Sequence, residues 1–101
     1  MPLTKSTFNI ENVVASASIN QRVDLIEITK KFKHVEYHPK QFPGLVFRIK
    51  SPKTATLIFR TGKMVCTGAK SEELSIAAVN MVVQKLRKAK INIKKDAIIS
   101  I

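Results

Sequence analysis

The side chains able to carry covalent or metal chemistry are few and scattered. His34 and His38 stand four apart, a spacing that would stack them on one helix face. Pro39 follows directly, and the polar run 33–43 closes on Pro43, so a loop is expected there. With no second cysteine and no carboxylate cluster to complete a ligand set, two solvated loop histidines fit better than a metal pair. Cys66 is the single cysteine. It forms no internal disulfide, suits a reducing compartment, and has no activating group beside it in sequence, so a buried inert thiol is expected. The chain holds no GxGxxG, GxxxxGK[ST] or GxSxG run. An enzyme is not expected; what remains is binding.

Charge points the same way. Eighteen Lys and Arg against 7 Asp and Glu leave a net charge of +11 on 101 residues, with 45% hydrophobic and 25% charged residues. That composition is globular rather than disordered. The length suits one domain that buries roughly 60–65% of its unfolded surface. A strongly basic balance favours nucleic acid, an anionic membrane or an acidic protein. The longest apolar run is residues 76–79, far short of the ~18 needed to cross a bilayer, and the opening MPLTKSTFN has no apolar core of a secretory signal.

The elements that would present a binding surface centre on LIFRTGKMVCTGAK, residues 57–70. It reads as strand, tight turn at Thr61-Gly62, second strand, and a glycine-marked passage at Gly68 into a helix. Alternation puts Leu57, Phe59, Lys63, Val65 and Thr67 on one face and Ile58, Met64 and Cys66 on the other. Both faces are apolar, yet the following helix can cover only one, which leaves the other for a partner. Upstream, residues 8–19 alternate as a first strand with Asn12, Val14 and Ser16 on one side. Residues 23–32 have helical spacing at 25, 28 and 32. Residues 44–50 and 54–60 read as strands joined by a turn at Ser51-Pro52-Lys53. Ser71 caps a second helix reaching about residue 90, with Leu74, Ala77, Ala78, Met81, Val82 and Leu86 as its core stripe. Residues 91–101 alternate as a last strand. The order β-α-β-β-β-α-β makes an α+β fold, a sheet of about five antiparallel strands backed by two helices.

The open face thus collects Asn12, Val14, Leu57, Phe59, Val65 and Thr67, with Lys63 and Arg48 near. Cations around small polar and apolar groups suit a nucleic-acid groove. Pattern alone supports equally well a face that packs on another protein, a non-catalytic dimerisation or interaction domain.

The hairpin FRTGKMVCTGAKS, the segment EYHPKQFPGLVFRIKSPKTATLIF and the opening NIENVVASASI resemble, in order across residues 8–90, one repeat of the TATA-box-binding protein family of archaea and eukaryotes. The wording is nearest the N-terminal repeat, and FPGL resembles archaeal versions. The resemblance implies a curved half-saddle whose concave sheet binds the minor groove of TATA-box DNA. Phe42 and Phe59 match the wedges that open base steps, with Leu57 supporting Phe59. Asn12 matches the asparagine that bonds base acceptors, and Val14, Val65 and Thr67 match the floor of the contact. Arg48 and Lys63, with Lys70 as a further candidate, match phosphate contacts, and Ser51-Pro52-Lys53 matches the stirrup.

The same resemblance implies transcription factor B and RNA polymerase as partners, no cofactor, no membrane, and residence in the cytoplasm and nucleoid if archaeal or the nucleus if eukaryotic. The family carries two tandem repeats, whereas this sequence holds one. The expectation is a symmetric homodimer that rebuilds the saddle with the first strand near the two-fold axis, or a chain completed by a second repeat.

Overall fold

The computed structural model describes residues 13–94 and 97–100. Its elements are β1 (Val13–Ser18), α1 (Leu25–Lys31), β2 (Leu45–Lys50), β3 (Lys53–Ile58), β4 (Lys63–Ala69), α2 (Glu72–Lys88) and β5 (Ile98–Ser100). The strands form one antiparallel sheet in the order β2-β3-β4-β1-β5. The element order and the α+β, half-saddle class agree with the sequence. The expected opening strand extends upstream of Val13, and that part, Asn12 included, lies outside the described residues.

Each helix starts on a side-chain cap. Asp24 accepts the Glu27 N–H at 3.2 Å, and Ser71 accepts the Leu74 N–H at 3.1 Å. Glu72 and Glu73 sit in the first turn of α2 and Lys85, Arg87 and Lys88 in its last, each matched to the helix dipole. Helix α2 packs across β4, β1 and β3, and α1 adds Leu25 and Ile28 to the same core. At the end of α1 the Phe32 ring meets Phe47 edge-on, centroids 5.0 Å apart.

The core stripe of α2 differs from the expected one. Ser75, Ala78, Val79, Val82, Val83 and Leu86 are buried, whereas Leu74, Ala77 and Met81 are exposed. The apolar surface of this helix is wider than one stripe, so spacing alone admits two phases. The one adopted turns the β-branched Val79 and Val83 inward and leaves the long Leu74 and Met81 side chains outside.

The turn at Gly62 is as expected. Its φ is +93°, Phe59 N–H donates to the Lys63 carbonyl at 2.9 Å, and Gly62 N–H donates to the Phe59 carbonyl at 2.9 Å. The third strand stops at Ile58, so Phe59 and Arg60 belong to that turn and not to the ladder. Gly68 corrects a second expectation, because it lies inside β4 instead of at a strand-to-helix turn. Val13 pairs with Ala69 but Ala15 with Cys66, so β4 carries one extra residue, and Gly68 takes up the bulge at φ +92°. The phase shift buries Ala69.

The last strand is shorter than its alternation suggested. Ile91 and Ile93 do point into the core, but the backbone there bonds to a side chain. Gln21 Nε2 donates to the Asn92 carbonyl at 2.6 Å, and Lys94 N–H donates to Gln21 Oε1 at 2.8 Å. One amide thereby does the work of a neighbouring strand, and among the described residues pairing with β1 begins at Ile98.

Candidate nucleic-acid interface

Both helices lie on one side of the sheet, and among the described residues none covers the other side. Its side chains fall in rows across the strands. One row runs Ser100–Ser16–Val65–Leu57–Val46, each residue opposite the next on the neighbouring strand. A second runs Thr67–Ala55–Arg48, with Val14 beside its β4 end. Burial alternates along the strands, broken only at the Gly68 bulge of β4, so Ala15, Ala17, Phe47, Ile58, Met64 and Cys66 face the core while their neighbours face out. Val14 is 51% exposed and Ile98 64%. The face is therefore small, apolar and lightly hydroxylated, with no carboxylate in either row.

The two phenylalanines singled out in the sequence come together. Phe42 and Phe59 meet edge to face with centroids 5.8 Å apart. They arrive from different segments: Phe42 from a turn in which its N–H donates to the His38 carbonyl at 2.9 Å, Phe59 from the turn that follows β3. Gly44 lies under them. A Cβ there would stand 2.7 Å from Phe42 Cε2 and 3.1 Å from Phe59 Cε1, so the glycine is what lets the rings close over the backbone. Phe42 remains 43% exposed.

The structure separates the cations more than the sequence suggested. Lys63 is exposed beside Ser18 at the β1 side of the face. Arg48 projects from the same face, but its Nη1 is 3.1 Å from Glu36 Oε1. Glu36 is held there by reciprocal backbone bonds with Val46, at 3.1 and 2.8 Å. Lys70 stands in the turn between β4 and α2, off the ladder. Near the β2–β3 turn, a hollow of about 610 Å³ is lined by His34, Arg48, Lys50, Lys53, Ala55, Thr67 and Gly68 among others. Thr67 Oγ1 donates to the Ala55 carbonyl at 3.3 Å, which leaves its methyl for a partner. Val46, Ala55 and Lys50 were missed in the sequence, although each lies two residues from one that was named. The Arg48–Glu36 pair had no sequence signal, because the partner comes from a loop.

Cys66 is fully buried in the core, as expected. Burial pushes its thiol above the ordinary value, the Thr56 and Thr54 hydroxyls pulling part of the way back. It lies on the helix side of the sheet and takes no part in the open face.

A sheet with both helices on one side and an apolar, cation-flanked face on the other defines one half of a saddle-shaped sheet protein. Comparison with known proteins makes the assignment specific. Residues 7–89 match the family profile described as "Transcription factor TFIID (or TATA-binding protein, TBP)", and the chain belongs to that family. It is 53% identical over 89 residues to a TATA-box-binding protein of Pyrodictium occultum, covering 88% of this chain and 45% of that protein. Against the TATA-box-binding protein of Archaeoglobus fulgidus the identity is 52% over 84 residues, 83% of this chain and 46% of the other. Among solved structures, Methanococcus jannaschii TBP superposes with a TM-score of 0.78 at 44% identity, covering 87% of this chain and 50% of that one. The chain thus spans about half the length of the relatives it matches. No helix among the described residues is long and apolar enough to cross a membrane.

Proposed function

We propose that this chain is a transcription initiation factor, or one half of one, that binds the minor groove of TATA-like promoter DNA with its open sheet face. The observation that carries the reading is the row Ser16–Val65–Leu57–Val46 with the exposed Phe42–Phe59 pair near its β3 side. The minor groove of A·T pairs presents only acceptors, so a smooth apolar floor with one amide donor suffices to read it. By resemblance that donor is Asn12. Pyrimidine–purine steps unstack cheaply, and an aromatic pair inserted at such a step selects it through deformation energy. Bending by side-chain wedges is the known behaviour of the family and comes to this chain by resemblance. Lys63 and Arg48 would contact phosphates on either side of the floor, with Lys70 the more distant candidate.

A single repeat supplies one wedge pair, so the reading includes a second half, from another copy of this chain or from a second repeat. The edge of β1 suits that junction. Among the described residues β5 pairs with Ser16, Ala17 and Ser18 of that edge, and an unpaired length of strand edge is where a second sheet can join. Recruitment of transcription factor B and RNA polymerase follows from the resemblance, as does an archaeal cytoplasmic location on the nucleoid.

The test is Phe42→Ala and Phe59→Ala, read by DNA bending and by thermal melting. Phe42 is already 43% exposed, so its truncation is expected to leave the fold standing while bending of a TATA duplex collapses. If bending and affinity survive both changes, the two phenylalanines are not the wedges; if the unaltered chain neither bends nor selects the TATA duplex while both changes weaken self-association, the face serves dimerisation alone and the DNA reading fails.

A further inference from the structure

The open face changes character along its length. The row crossing it carries Val46, Leu57 and Val65 on β2, β3 and β4, then Ser16 and Ser100 on β1 and β5. Both serines are exposed and stand opposite one another. A hollow of about 450 Å³ opens at that end, lined by Ser16, Ser18, Asn20, Lys63, Ile98 and Ser100 among others, with no carboxylate. The Ser18 hydroxyl is committed: it donates to Asn20 Oδ1 at 3.2 Å and accepts the Asn20 N–H at 3.1 Å. The hydroxyls of Ser16 and Ser100 have no hydrogen-bond partner among the described residues. Each has one rotatable O–H donor and two acceptor lone pairs to offer.

We propose that this hydroxylated end sets base-pair specificity, Ser16 and Ser100 admitting a G·C pair that the apolar part of the face rejects. The inference rests on the minor-groove reading above. In that groove A·T and T·A pairs present only acceptors, while G·C adds the guanine N2 amino donor. Pressed onto Val65, Leu57 or Val46, the amino group loses water and gains no acceptor, the costly case for a buried donor. Over Ser16 or Ser100 it meets a hydroxyl oxygen. Against an A·T pair the same hydroxyl turns and donates to adenine N3 or thymine O2. These serines adjoin the β1 edge where the proposed second half joins. The tolerant base pairs are therefore central in the complete site, and the outer ones stay restricted to A·T.

The probe is a set of TATA duplexes in which one pair at a time is G·C or inosine·cytosine. Inosine lacks the N2 amino group, so the affinity ratio of the two duplexes isolates the response to that donor. For the unaltered chain, anisotropy is expected to show G·C binding at least about tenfold more weakly than inosine·cytosine at outer positions. At the central positions the ratio should stay within about threefold. Ser16→Ala combined with Ser100→Ala should extend the tenfold penalty to the centre, and Ser16→Thr, which keeps the hydroxyl, should not. Each ratio is internal to one variant, so a general change in affinity or stability does not move it. A uniform penalty along the site in the unaltered chain would overturn the proposal. So would an equal loss on every duplex in the double variant, which would give the hydroxyls to the sugar–phosphate backbone. Failure of the unaltered chain to prefer any TATA duplex would overturn the minor-groove reading, and this proposal with it.

Discussion

The Phe42–Phe59 pair depends on the residue that is missing beneath it. Gly44 has no left-handed backbone to serve; its role is space, since a methyl group there would stand 2.7 Å from the Phe42 ring. Gly44→Ala should displace Phe42, an exposed ring free to swing, and so cost less than about 1 kcal/mol of stability. Bending of a TATA duplex should nonetheless fall several-fold, and unchanged bending would show that the closed pair is not what the DNA meets. Glu36 makes the complementary case. Its carboxylate holds Arg48 at 3.1 Å with both side chains more than half exposed, a pair worth about 0–1 kcal/mol. Glu36→Gln should leave stability nearly unchanged and raise duplex affinity about two- to fivefold at low salt, a gain that fades as screening increases. An unchanged affinity would mean that Arg48 makes no phosphate contact.

At the scale of elements, α2 offers a comparison within one helix and one chemistry. Leu74 and Leu86 belong to the same apolar surface in sequence, yet Leu86 is fully buried and Leu74 is 40% exposed. Leu86→Ala should cost about 2–5 kcal/mol in urea unfolding and Leu74→Ala less than about 1 kcal/mol; similar costs would put the helix in the other phase. Periodicity showed that α2 exists, and Ser71 and the charged ends showed where it starts and stops, because capping and dipole matching are local. Its rotation was not legible, since Ala78, Val82 and Leu86 satisfy either phase and the sheet decides between Ala77 and Met81 on one side and Val79 and Val83 on the other. The strands were read well where alternation met a turn with its own chemistry, as at Gly62. They were misread where a distant group intervened: the Gln21 amide took the backbone of 92 and 94, and the Gly68 bulge answered to the register of β1. The open face was readable for the same reason as the hairpin, while the Glu36–Arg48 pair needed a loop that no periodicity describes.

For the whole molecule, two features act over different ranges. The net charge of +11 attracts any polyanion and weakens steeply with salt. The apolar rows and the aromatic pair act only in contact, and under the proposed function they, with the Asn12 donor, would distinguish A·T from G·C sequence. The chain belongs to the family and spans about half the length of its relatives; under the proposed function both features would be needed and a second half would complete the surface. The decisive measurement is fluorescence transfer between the labelled ends of a TATA duplex, with a G·C-substituted duplex as control, at two salt concentrations. Selective bending of the TATA duplex, rising with the square of protein concentration, is the predicted result and would establish two half-saddles acting together. Weak binding to both duplexes that vanishes with salt and bends neither would contradict the account and leave charge alone at work.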